Sequence, residues 1–155
     1  MREILLVRFG EVFLKGQNRP FFMKKLMDHI RQAVRPVNGR VWMSEGRFYV
    51  SDFTDMDECI RRVTRVFGVH SVSPAIEMDK DNFEAICEQA ARMMEPLSGT
   101  FKVLARRSDK RYPLDSPAIM REAGGYILDH VPQLTVDVNH PDHTMMIEIR
   151  DHAYL

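Results

Sequence analysis

The chain has 155 residues, 45% of them hydrophobic and 28% charged, with 22 Lys/Arg balanced by 22 Asp/Glu. That composition is ordinary for a globular protein with a real core and leaves room for one medium domain or two small ones. No apolar run approaches the roughly 18 residues that a membrane-spanning helix needs, so no membrane role is expected and a cytoplasmic location is the default.

The zero net charge conceals a patchwork. Residues 1–78 hold 13 Lys/Arg against 9 Asp/Glu, and residues 79–155 hold 9 against 13. The total therefore says little about whether a polyanion is a partner.

Residues 3–9, EILLVRF, form a nearly continuous apolar run that suits a strand covered on both faces. A connector with Gly10 and Gly16 follows. A helix is predicted over 20–34 with Phe22, Leu26, Ile30 and Ala33 on one face, stopped by Pro36 and Gly39. Two short strands, 41–44 and 47–50, flank Glu45-Gly46 as a tight hairpin. Asp55 and Glu58 have the spacing of a capping box, opening a helix whose stripe is Met56, Cys59, Ile60, Val63 and Phe67. A strand at 69–78 closes a β-α-β-β-α-β series, the ferredoxin-like pattern.

A second unit begins at once, without a Gly/Ser linker. Asp81 and Glu84 are expected to cap a helix with Phe83, Ile86, Cys87, Ala90 and Met94 inward. Both cysteines thus fall on apolar stripes and are expected as buried, reduced thiols.

Residues 101–106 alternate as a strand, then break into the loop Arg107-Ser108-Asp109-Lys110-Arg111 followed by Tyr112-Pro113. Ser116 is the expected cap of the next helix, about 117–130, with Pro117 at its first position. Ile119, Ala123, Ile127 and Val131 form the inner side of that helix. Residues 102–121 contain six cations and two acids. A helix start favours anions through its unpaired N–H groups, so this stretch has the chemistry of a phosphate-binding surface. Its alternative is an ordinary solvated loop.

Gly124-Gly125 is unusual inside a helix. Close packing on the sheet or on the neighbouring module is one explanation. A bare patch beside Arg121, open to a nucleic-acid backbone, is the other. Tyr112 is read either as a platform for an unpaired base or as an anchor for the loop. His140-Pro-Asp-His143 is read as a hairpin turn between strands at 134–138 and 145–150, not as a metal site, and residues 152–155 as a plain end. The chain shows no phosphate-binding glycine motif of either common type, and no catalytic carboxylate pair can be picked out.

Two stretches carry a resemblance. Val7-Arg8-Phe9-Gly10-Glu11-Val12-Phe13-Leu14-Lys15-Gly16-Gln17-Asn18-Arg19 with Phe22 resembles the opening of the tRNA 4-thiouridine sulfurtransferases, also named for sulfur transfer in thiamine (thiazole) biosynthesis. Arg106-Arg107, Lys110, Tyr112-Pro113, Ser116 and Arg121-Glu122 resemble the THUMP domain of the same family. Val136-Asp137-Val138, Pro141-Asp142, Ile147 to Arg150 and Ala153-Tyr154 also fit it.

The resemblance implies an α+β chain: a ferredoxin-like module, residues 1–78, packed on an α/β THUMP module, residues 79–155, expected to be incomplete at its C-terminal end. It implies binding of the acceptor stem and unpaired 3′ end of tRNA. In the family a following domain uses ATP and Mg to adenylate a uridine, sulfur comes from a cysteine desulfurase, and the protein is thought to form a homodimer. The nucleotide-binding signature S-G-G-x-D-S is absent here, and neither cysteine lies where a persulfide carrier should. The chain is therefore expected to recognise RNA without modifying it, with no cofactor of its own, as a fragment or a naturally short protein.

Phosphate contact is assigned to Arg106, Arg107, Lys110 and Arg111, with Lys102 at the strand edge and Arg121 on the helix. Lys15 and Arg19, on the connector, rank second. A stand-alone THUMP adaptor serving a separate enzyme, or a ferredoxin-like regulatory or docking module, are the rival readings.

Overall fold

A computed structural model describes residues 1–10, 16 and 18–155. The chain divides into two compact units, Arg2–Ala75 and Ile76–Leu155.

The first unit follows the predicted order: β1 (Arg2–Phe9), α1 (Arg19–Val34), a 3₁₀ turn (Arg35–Val37), β2 (Arg40–Ser44), β3 (Arg47–Ser51), α2 (Met56–Thr64) and β4 (Val69–Met78), the last of which carries the boundary. The strands lie in the order β2-β3-β1-β4, the ferredoxin-like arrangement. Ile4, Leu5, Leu6 and Val7 are all buried, as the continuous apolar run of β1 requires. Leu5, Val7, Phe48 and Val50 meet Leu26, Ile30, Cys59 and Val63 of the two helices in one core. Glu45 (φ 48°) and Gly46 (φ 80°) make the two-residue hairpin with both central residues at positive φ, the turn whose twist suits paired strands.

Local chemistry sets the helix ends. Asp55 caps α2 by accepting the N–H of Glu58 at 3.1 Å. The reciprocal half of the expected box is absent, because the Glu58 carboxylate pairs with Arg61 and Arg62 instead. Gly39 has no room for a side chain: a Cβ there would lie 2.7 Å from that of Val34. The inner stripe of α1 is Met23, Leu26, Ile30 and Val34, so Phe22, 44% exposed, lies off it and Ala33 is only partly covered. Phe67 lies past the end of α2 and is exposed. The apolar stripe of α2 therefore ends at Val63.

The second unit comprises α3 (Phe83–Met94), β5 (Gly99–Arg107), α4 (Ser116–His130), β6 (Leu134–Val136), β7 (His143–Ile149) and β8 (Ala153–Tyr154). Its strands follow the end of β4 in the order β8-β7-β5-β6. Ile86, Cys87 and Ala90 of α3 join Ile119, Ala123 and Ile127 of α4 over Phe101, Val103, Ile147 and Ile149.

Two expectations change here. Residues 153–155 do not simply stop: Ala153 and Tyr154 form β8, paired with Met78 and Glu77 on one side and with Ile149 and Glu148 on the other. Nor do the strands around His140–His143 form a hairpin. β5 lies between β6 and β7 and runs parallel to both, so residues 137–142 cross from one side of β5 to the other. The Asp137 N–H binds the Phe101 carbonyl at 3.0 Å on the β6 side. Asp142 then exchanges two hydrogen bonds with Thr100, at 3.1 and 2.9 Å.

Candidate nucleic-acid interface

β5 delivers the basic loop to the start of α4, and one carboxylate organises it. Asp109 accepts from Lys80 Nζ at 2.9 Å, from the Arg111 N–H at 3.0 Å and from Arg111 Nε at 3.3 Å. The Lys80 ammonium first, and Arg111 after it, pull the Asp109 carboxyl down to about 2. Lys80 also donates to the Arg150 carbonyl at 2.8 Å. Nothing in the sequence marks Lys80 for this task, because its partners are distant in the chain.

The loop closes on itself through Arg107, whose Nη1 donates to the carbonyls of Lys110 (3.2 Å) and Tyr112 (3.1 Å). Tyr112 is buried and donates its hydroxyl to the Lys80 carbonyl at 2.6 Å. Of its two readings the anchor is the one realised, and no ring face is left for a base. Arg106 and Lys110 are exposed, and Arg111 is exposed while leaning on Asp109.

The helix start differs from expectation. Asp115, not Ser116, caps α4, accepting the Ala118 N–H at 2.9 Å. Asn82, not Asp81, caps α3 in the same way. At α4 an aspartate takes the cap in place of the adjacent serine, and at α3 the cap lies one residue further along, on Asn82 in place of Asp81. The N-terminus of α4 therefore already has an anion of its own, and any phosphate must be drawn by side chains.

Two of the cations, Lys102 and Arg121, line a groove. β6 pairs with β5 only from Gly99 to Phe101. Past that point no strand among the described residues covers this edge of β5, and α4 runs alongside it. The resulting groove, about 590 Å³, has Phe101, Val103, Met120, Leu128, Val136 and Val138 as apolar lining, with Lys102 and Arg121 as its charged groups. Gly124 and Gly125 form part of the wall. A methyl group on Gly125 would meet nothing within 4 Å, and one on Gly124 only Val103 at 3.9 Å. Close packing does not require either glycine; they leave a bare stretch of helix facing the groove.

The predicted cations thus form two sets in this unit. Lys102 and Arg121 share the groove, while Arg106, Arg107, Lys110 and Arg111 lie on the loop that leads into α4. Arg19 belongs to the other unit, at the first position of α1, lining a separate groove of about 630 Å³ with Met23, Met43 and Phe48. Lys15 lies outside the described residues.

Cys59 and Cys87 are buried, free thiols. Burial pushes both up to about 11, aided by Asp55 at Cys59 and by Glu122 and Glu84 at Cys87. No group of three or more His, Cys, Asp or Glu side chains is arranged to hold a metal. His143 turns its ring nitrogen to the Ser98 carbonyl at 3.0 Å.

Residues 4–73 match the ThiI ferredoxin-like domain and residues 80–155 the THUMP domain. A probable tRNA sulfurtransferase of Acetivibrio thermocellus is 42% identical over 164 aligned residues, which cover 100% of this chain and 42% of that protein. Among solved structures, PH1313 of Pyrococcus horikoshii superposes with a TM-score of 0.84 at 34% identity, covering 98% of this chain and 52% of its own. A 4-thiouridine synthetase, solved as an RNA complex with bound ATP, also gives 0.84 at 26% identity, over 99% of this chain and 40% of that one. The chain spans about two fifths of the length of the curated relatives it matches. The chain thus carries a ThiI ferredoxin-like domain followed by a THUMP domain, and over its full length it is similar to probable tRNA sulfurtransferases.

Proposed function

We propose that this chain is the tRNA-binding region of a tRNA sulfurtransferase, taking the acceptor stem and the unpaired 3′ end. The observation that carries the reading is the groove in which Lys102 and Arg121 flank an apolar wall and a bare glycine stretch. An A-form stem hides its base edges, so a protein must use phosphates, hydroxyls and unpaired nucleotides. Unpaired bases can lie on the apolar lining, while a guanidinium and an ammonium meet the phosphates between them. The exposed Arg106, Lys110 and Arg111 extend the positive field beyond the groove. The RNA complex of the similar 4-thiouridine synthetase supports the choice of ligand.

In this reading the described residues bind and position RNA, and chemistry lies elsewhere. ATP and Mg belong to an adenylating domain outside the aligned region, and sulfur to a cysteine desulfurase. The place of action is the cytoplasm, and self-association as a homodimer is part of the same proposal. Two deeply buried thiols support the assignment of sulfur transfer to other residues.

The test is a fluorescence-anisotropy titration of the chain with intact tRNA and with tRNA trimmed of its unpaired 3′ nucleotides. Trimming is expected to weaken binding. Equal affinity for both, or no binding to either, contradicts the reading.

A further inference from the structure

A second basic groove lies in the first unit, between the end of α1 and the outer edge of β2. It measures about 690 Å³ and brings together Arg31, Arg35, Asn38, Arg40 and Trp42, with Met27 at its side. The arginines come from three successive elements, the last turn of α1, the 3₁₀ turn and the first residue of β2. All three are exposed. Among the described residues, the one carboxylate paired with any of them is Asp28, 3.8 Å from Arg31, with both side chains half exposed. Arg35 and Arg40 have no carboxylate partner among the described residues.

Two ordinary roles leave this convergence unexplained. Cations favour a helix C-terminus, yet the end of α1 is already closed by its own backbone. The Asn38 N–H, in a left-handed turn, binds the Arg35 carbonyl, and the Gly39 N–H binds that of Val34, each at 3.0 Å. Charge also protects an edge strand, but Arg40 alone would serve that purpose.

We propose that this groove binds the phosphodiester backbone of RNA without reading its bases. Planar guanidiniums bridge phosphate oxygens in pairs. The aromatic group present cannot serve as a stacking platform, because Trp42 is already stacked on Tyr49 at 5.3 Å and carries the Arg2 guanidinium 4.9 Å from its ring. The groove therefore offers charge and no free π surface, which suits a sequence-independent contact. The inference rests on the RNA-binding reading above and adds a contact in the other unit.

The test uses the full chain. R31A/R35A/R40A is compared with the charge-matched control R61A/R65A/R92A, titrating two stem-loop RNAs of unrelated sequence across a salt series. Circular dichroism establishes that both variants are folded. Each lost phosphate contact flattens the log K against log salt slope by roughly 0.7–0.9. The groove variant should lose roughly 2 to 3 slope units on both RNAs, and the control much less. Equal slopes for groove variant and control, with wild-type binding intact, overturn this inference and leave the RNA-binding reading standing. Failure of the wild type to bind either RNA overturns both. Saturable binding of inorganic phosphate that the groove variant loses, with its RNA titration unchanged, identifies a free-anion site and also overturns the inference.

Discussion

The Tyr112 hydroxyl donates to the Lys80 carbonyl at 2.6 Å, while the Lys80 ammonium reaches back to Asp109 at 2.9 Å. This double link ties the basic loop to the segment that leads into α3, so the loop presents its exposed cations from a fixed frame. Tyr112→Phe keeps the ring and removes one hydrogen bond. It should lower stability by about 0.5–1.5 kcal/mol, seen as a lower urea midpoint, with RNA affinity unchanged. An unchanged midpoint would mean that the link does not brace the loop.

Asp109 supplies a pH signature. Its folded value of about 2 lies below the ordinary 3.8, so the carboxylate contributes stability at neutral pH that is present in full above the unfolded value. As pH falls from about 4 to about 2, the unfolded chain takes up this proton before the folded one does, and the contribution disappears. A two-dimensional NMR titration should place the Asp109 midpoint near 2, and Asp109→Asn should flatten the acid limb of the stability curve in that window. A midpoint near 4 would show that Lys80 and Arg111 do not hold the carboxylate.

Cys59 and Cys87 should resist modification. With both thiols pushed to about 11 and buried, thiolate is scarce at pH 8 and access is closed. A colorimetric thiol assay should count close to zero groups in the folded chain and two in urea. Rapid labelling of either in the folded protein would reopen a role for it in sulfur transfer.

Much of the fold was legible because local chemistry decides it. Glu45-Gly46 can only turn, Asp55 caps three residues ahead, and the 69–78 strand has the bounds its pattern suggested. The errors fall where distant partners decide. Ala153 and Tyr154 become a strand because two other strands present free edges to them. Residues 137–142 cross β5 because the Phe101 carbonyl and Thr100 hold the two ends of the segment. Tyr112 and Lys80 are 32 residues apart, beyond any periodicity argument. At the site, the types of residue were legible and their grouping was not. Lys102 and Arg121 line one groove because β6 ends early and leaves the β5 edge open to α4.

Gly125 separates the needs of stability from those of the groove. Nothing stands within 4 Å of a methyl group there, and alanine favours a helix interior over glycine by about 0.5–1 kcal/mol. Gly125→Ala should therefore raise the thermal midpoint by a few degrees while weakening RNA binding, because the methyl projects into the groove. A more stable protein with unaltered RNA affinity would place the RNA elsewhere.

The most direct measurement is the salt dependence of tRNA binding by the full chain carrying Lys102→Ala and Arg121→Ala together. The account predicts a folded protein whose log K against log salt slope is shallower by roughly 1.4–1.8, two phosphate contacts at about 0.7–0.9 each. A slope and affinity matching the wild type would contradict it.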